Sequence, residues 1–234
     1  MKKAYVVLPL VLLGFALAYF TLLRDQNKQS QPTLSDVQKS AKTSPTDVVT
    51  SDKALETLII GDPSARVTIV EYADFKCPNC NKFHQQVGKQ LRTDFIDRKL
   101  AKIEFRNIPF IASDSRPAAE GTYCANDQKK FVQYHDKVFE FMWTNYYRQD
   151  NSKEFDNILT VEKLTELAGE AGLDKTAFNQ CLATAKHKSS VDSDLKKSEQ
   201  DGVTGTPHII INGKAVVGPQ SYSAYKTLLE IALR

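Results

Sequence analysis

Cysteine is scarce in this sequence, and so is any excess of one charge. Four cysteines, Cys77, Cys80, Cys124 and Cys181, stand among 234 residues, too few for a scaffold built from disulfides. Lysine and arginine outnumber aspartate and glutamate by three, and the two signs are interspersed. No basic stripe with interleaved aromatics runs along the chain, so nucleic acid is not an expected partner. No internal repeat is visible. What is present, 41% hydrophobic and 25% charged residues, suits an ordinary globular protein with a sizeable core.

One long apolar run exists. Met1-Lys2-Lys3 is a short positive segment, and Ala4 to Leu23 carries no charge. At about 1.5 Å per residue, some 20 residues reach across a hydrocarbon layer of about 30 Å. Residues 1–23 are therefore either a transmembrane anchor or a signal peptide. Ala16-Leu17-Ala18 resembles a cleavage site, but the run continues through Tyr19, Phe20, Leu22 and Leu23, which favours an uncleaved anchor. With Lys2 and Lys3 held on the cytoplasmic side, the rest of the chain is extracytoplasmic, anchored or secreted, where disulfides persist. Residues 24–54 are rich in Gln, Ser, Thr, Lys and Asp and hold too little apolar material to offset the entropy of ordering. They read as a flexible linker with a reach of roughly 30 Å.

Folded sequence begins near Leu55. Arg66–Ala73 is β-branched and apolar on both faces, the pattern of a central strand. Pro78 then takes the first position of a helix, and Cys80, Phe83, Val87, Leu91 and Phe95 form its apolar stripe. Ala101–Phe110 reads as a strand. A helix-rich stretch follows, with Phe131–Trp143, Thr160–Ala171 stopped by Gly172, and Asp174–Ala185 as its clearest members. Pro207–Ile211 is a strand, Asn212-Gly213 a hairpin turn, Lys214–Val217 its partner, and Tyr222 to Ala232 a final amphipathic helix. The fold class is α/β, with a guest helical subdomain.

Within YADFKCPNC, residues 72–80, the two thiols occupy different places. Cys80 shares the apolar stripe and should point inward. Cys77 precedes it at the helix N-terminus, where free backbone N–H groups favour an anion, so an exposed and acidified thiol is expected there. A zinc clamp needs a second ligand pair; Cys124 and Cys181 stand apart and His84 is the only histidine nearby, so no metal is predicted. A purely structural disulfide would close a very small loop and stabilise poorly. A redox pair is the reading that best fits. Cys124 and Cys181 are either buried free thiols or a second disulfide, which an oxidising compartment favours. His84, His135 and His208 have packing or surface explanations and receive no catalytic role, although His208 follows Pro207 and could rim a substrate groove.

Glu71 through Cys80, with Thr204-Gly205-Thr206-Pro207 ahead of a strand and an Asn-Gly turn, resembles the DsbA-like thiol-disulfide oxidoreductases. The resemblance spans about residues 55–234 and includes Tyr134-His135-Asp136 and Gly172-Leu173-Asp174…Phe178…Cys181-Leu182. It implies a thioredoxin-like fold interrupted by an inserted α-helical subdomain, here about 113–197. It also implies a protein that introduces disulfides into unfolded or folding exported proteins with free thiols. A DsbB-like or other membrane redox partner would recharge it, and no cofactor is needed. By position, Cys77 becomes the attacked sulfur and Cys80 the resolving one, with Pro78 and Asn79 the dipeptide between them. Pro207 becomes a cis proline facing the sulfurs, with Thr206 offering its backbone to substrate. Glu71 becomes a buried acid beneath Cys80; the residues alone leave it either buried or solvated at a strand end. Familiar oxidases of the family have histidine where Asn79 stands, so a less acidic Cys77 and a milder oxidant are expected. An isomerase or reductase of the same fold, or a non-catalytic tethered module binding peptide or metal, remains the alternative.

Overall fold

The computed structural model describes residues 57–149, 152–216, 218 and 220–234. The apolar run 1–23, the polar stretch 24–54 and Val217 lie outside the described residues, and no helix among the described residues is long and apolar enough to cross a membrane.

Among the described residues five strands form one sheet: β1 (Leu58–Ile60), β2 (Val67–Ala73), β3 (Ala101–Asn107), β4 (His208–Ile211) and β5 (Lys214–Val216), in the spatial order β1-β3-β2-β4-β5. β2 runs parallel to β3 and antiparallel to β4, and its central position explains why its sequence is apolar on both faces. Val67 and Ile69 enter the main core, while Tyr72 packs with Ile108 and Ile210 behind the sheet. The three residues of β1 are too few to show alternation, and sequence reading passed over them. β3 ends at Asn107 rather than Phe110 because Asp74 Oδ2 captures the Phe110 and Ile111 N–H groups at 3.0 and 3.1 Å, turning the chain out of the sheet.

After Cys77 come α1 (Pro78–Phe83), a π-helical turn at His84–Gly88, α2 (Lys89–Leu91) and a second π-helical turn at Arg92–Ile96. The spacing of the apolar residues explains these wide turns. Phe83, Val87, Leu91 and Phe95 repeat every fourth residue, a row that would drift by about 40° per step around a regular α-helix. Turns holding more residues bring the row back, and all four side chains are buried.

Between β3 and β4 lie α3 (Ser115–Asp127), α4 (Phe131–Asn145), a 3-10 turn at Tyr147–Gln149, α5 (Val161–Glu170), α6 (Lys175–Ala183) and α7 (Lys188–Gln200). Thr160 and Asp174 cap α5 and α6, accepting from the Lys163 and Ala177 N–H groups at 3.3 and 2.9 Å. The helices join the sheet through rings: Phe75 lies 4.6 Å from Phe139, and Phe105 lies 4.6 Å from His135, centroid to centroid. Each fully buried large side chain of this kind contributes roughly 1.5–3 kcal/mol. At the β4–β5 turn Asn212 and Gly213 both have positive φ, 44° and 81°, as a tight hairpin turn requires. The Asn212 side chain also accepts from the Thr68 N–H at 2.9 Å, fastening the hairpin to β2. α8 (Tyr222–Ala232) closes the chain against α2 and β4.

Candidate active site

The segment leading into Cys77 is fixed by buried charge. Asp74, 3% exposed, accepts from the N–H groups of Lys76, Phe110 and Ile111, and its carbonyl accepts from the Cys77 N–H at 3.0 Å. Burial raises the pKa of Asp74, while these hydrogen bonds oppose the rise. Lys76 is fully buried and pairs with Asp114 at 3.0 Å; it also donates to the carbonyl of Asp156. The same Asp114 oxygen accepts from the N–H groups of Ile158 and Leu159 at 2.8 and 2.7 Å. Tyr147 donates to the Lys76 carbonyl at 2.6 Å, and Asn81 donates to the carbonyls of Phe75 and Cys77. Nearly every polar backbone group before the first sulfur is thus held, which keeps Cys77 in place as its bonding changes.

Cys77 is the N-cap of α1, and its sulfur accepts from the Cys80 N–H at 3.3 Å. The Thr206–Pro207 bond is cis, and the Thr206 carbonyl lies 3.5 Å from the Cys77 sulfur. A hydrogen bond from the Cys80 thiol does most to lower the Cys77 pKa, to about 7; burial opposes it, and Thr206 with the Cys80 and Asn79 N–H groups assist. Cys80 moves the other way. Burial and then the Cys77 sulfur drive its thiol well above the ordinary range. One thiol is therefore ionisable near neutrality and its neighbour is held neutral. The expectation of an exposed Cys77 is corrected: it is 5% exposed, because the loop carrying Thr206 covers it.

Glu71 is 4% exposed, so it is buried rather than solvated. Burial raises its pKa to about 8, with Arg92 pulling down and Asp136 pushing up. It lines a cavity of about 210 Å³ with His84, Arg92, His135 and Asp136, and its Oε1 has no hydrogen-bond partner among the described residues. The charges acting on it come from this cluster rather than from the sulfurs. His84, His135 and Asp136 bring ligand-type atoms within 4.8 Å of one another. The Asp136 carboxylate, however, is already engaged by both guanidinium nitrogens of Arg92, by His135 at 2.9 Å and by His84 at 3.3 Å. A fixed cation already neutralises the one acid of that trio, which argues for a hydrogen-bonded network rather than a metal centre.

Cys124 and Cys181 are joined by a disulfide between α3 and α6, with Cα atoms 5.9 Å apart. His208 is half-buried on β4 beside Tyr72, ring centroids 6.2 Å apart. The residues that sequence reading overlooked are Asp74, Lys76 and Asp114. The signal available was an acid and a base flanking Phe75 directly before the first cysteine; their burial depends on partners some 38 residues away.

A family model described as Thioredoxin matches residues 53–231. The Disulfide bond formation protein D of Bacillus subtilis is 27% identical over 185 residues, covering 75% of this chain and 77% of that protein. The crystal structure of oxidised BdbD from Bacillus subtilis superposes with a TM-score of 0.67 at 26% identity, covering 76% of this chain and 92% of that one. Wolbachia pipientis alpha-DsbA1 shares the fold, with a TM-score of 0.64 at 23% identity over 76% of this chain and 91% of its own. The match runs along nearly the whole described chain: it belongs to the thioredoxin family, as a DsbA-like protein-disulfide oxidoreductase.

Proposed function

We propose that this protein introduces disulfide bonds into exported proteins through Cys77 and Cys80. The observation that carries the proposal is the asymmetry of the two sulfurs, one lowered to about 7 at a helix N-cap and one buried and raised. In the oxidised protein a substrate thiolate attacks the Cys77 sulfur. A substrate–Cys77 disulfide forms, the Cys77–Cys80 bond breaks, and Cys80 leaves with the electron pair and takes up a proton. A second substrate thiolate attacks the substrate sulfur of the mixed disulfide. Cys77 departs as the thiolate its surroundings stabilise, and the substrate leaves with a new disulfide. The backbone at Thr206, beside Pro207, pairs with the extended substrate. Glu71 supplies or removes protons behind the sulfurs, and Pro78 and Asn79 set the turn between them. No cofactor enters these steps.

Residues 1–23 would anchor the protein to the membrane and 24–54 would tether it, on the periplasmic or outer face. Tethering raises the local concentration of a DsbB-like or other membrane partner, which removes two electrons and two protons to restore the disulfide. A Cys77 value of about 7 lies well above the value of about 3.5 found in a strongly oxidising relative. This favours a milder oxidant and keeps an isomerase as the second reading.

Cys77→Ser should abolish oxidation of a reduced protein substrate and trap nothing. Cys80→Ser should accumulate mixed disulfides through Cys77, visible as substrate adducts on non-reducing gels. Absence of turnover in the native chain, with peptide binding that survives Cys77→Ser, would leave only a peptide-binding module.

A further inference from the structure

A cleft of about 370 Å³ lies against Pro78 and Asn79, the two residues between the sulfurs. Its walls come from two elements. The helix after Cys77 contributes Lys82 and Gln86; the end of α4 and the turn beyond it contribute Trp143, Tyr147, Arg148 and Ser152. Tyr147 is anchored by its hydrogen bond to the Lys76 carbonyl, so the aromatic wall is fixed relative to the attacked sulfur. Lys82 and Arg148 are exposed, and neither has an ion-pair partner among the described residues. Among the described residues no acidic side chain lines the cleft. Glu154 meets it only at the rim, where Ser152 donates to its carboxylate at 3.1 Å, and Asp150 lies outside the described residues. In the disulfide form, which receives substrate, neither sulfur carries charge. Lys82 and Arg148 are therefore the charged side chains among the described residues that line the cleft beside the redox pair, with Glu154 the acid at its rim.

We infer that this cleft selects substrates by the residues flanking their reactive cysteine, favouring acidic neighbours and disfavouring basic ones. The inference rests on the disulfide-exchange reading and names the substrate class that reading leaves open. A glutamate or aspartate one or two residues from the attacking cysteine pairs with Lys82 or Arg148 while the adjoining side chain lies on Trp143. Such pairing steers encounter and positions the thiolate rather than changing the sulfur chemistry.

The test uses the oxidised full chain and two model dithiol peptides, identical except that glutamate or lysine flanks the cysteines, with neutral dithiothreitol as a third substrate. At low salt the acidic peptide should be oxidised about five- to tenfold faster than the basic one, and the ratio should shrink at high salt as surface charges are screened. Lys82→Glu combined with Arg148→Glu should invert the preference. Equal rates for the two peptides, or a ratio that the double substitution leaves alone, would overturn the inference while dithiothreitol is still oxidised. Failure to oxidise dithiothreitol and both peptides would overturn the disulfide-exchange reading itself, and the cleft assignment with it.

Discussion

The two cysteine pairs of this chain use the same atoms for opposite ends. Cys77 and Cys80 are three positions apart, at the start of a helix, with one sulfur acidified and the other forced neutral. Cys124 and Cys181 are 57 positions apart and clamp two helices of the insertion together. Loop length and local charge, not the cysteine itself, separate a bond built to open from one built to stay closed. The first pair sits where backbone N–H groups stabilise a thiolate; the second joins two packed helices.

Replacing Cys124 and Cys181 together by alanine gives the largest effect that tests this contrast. Freeing a loop of that length in the unfolded chain should cost about 4 kcal/mol on the chain-entropy account, read as a lowered denaturant midpoint, while oxidation of dithiothreitol persists. If activity vanished in a variant that still folds, the division between a closing bond and a working bond would break.

Glu71→Gln sharpens the comparison from the side of the working pair. The folded chain holds the Glu71 proton up to about pH 8, whereas the unfolded chain releases it near 4.5. Between those values the native state binds more protons, so stability falls as pH rises and the loss is complete above about 8. Glutamine cannot ionise, so the variant should lose that slope and gain on the order of 2–3 kcal/mol at neutral pH. Equal pH profiles for the native chain and the variant would show that Glu71 is ionised in the fold.

The smallest expected effect concerns Asn79. Alkylation of Cys77 in the reduced protein should titrate with a midpoint of about 7, leaving Cys80 unmodified over the same range. Asn79→His, by placing a cation beside the thiolate, should lower that midpoint by about one pH unit. An unchanged midpoint would mean that the position between the sulfurs does not tune the thiolate.

Much of this arrangement is legible in the sequence because it is local. The stripe from Cys80 to Phe95, Pro78 at the first helical position, Asn212-Gly213 and the Thr206–Pro207 turn all declare themselves within a few residues. Their placement on one sheet follows from the order of strands and helices. Other features depend on distant partners and leave no local trace. Nothing local marks Lys76 as buried until Asp114 is brought against it. Cys77 reads as exposed until the Thr206 loop covers it. The π-helical turns are a middle case: the four-residue spacing of Phe83, Val87, Leu91 and Phe95 contains the signal, while the stripe that starts at Cys80 predicts simply a helix.

The most direct test of the central claim is the redox equilibrium of the Cys77–Cys80 pair of the full chain against glutathione, read by differential alkylation and mass spectrometry so that Cys124 and Cys181 are scored separately. A potential between about −120 and −180 mV, the range of disulfide donors and isomerases, is the predicted result. A value near −270 mV, about that of thioredoxin, would mean that the pair reduces exported proteins and would contradict the proposed direction.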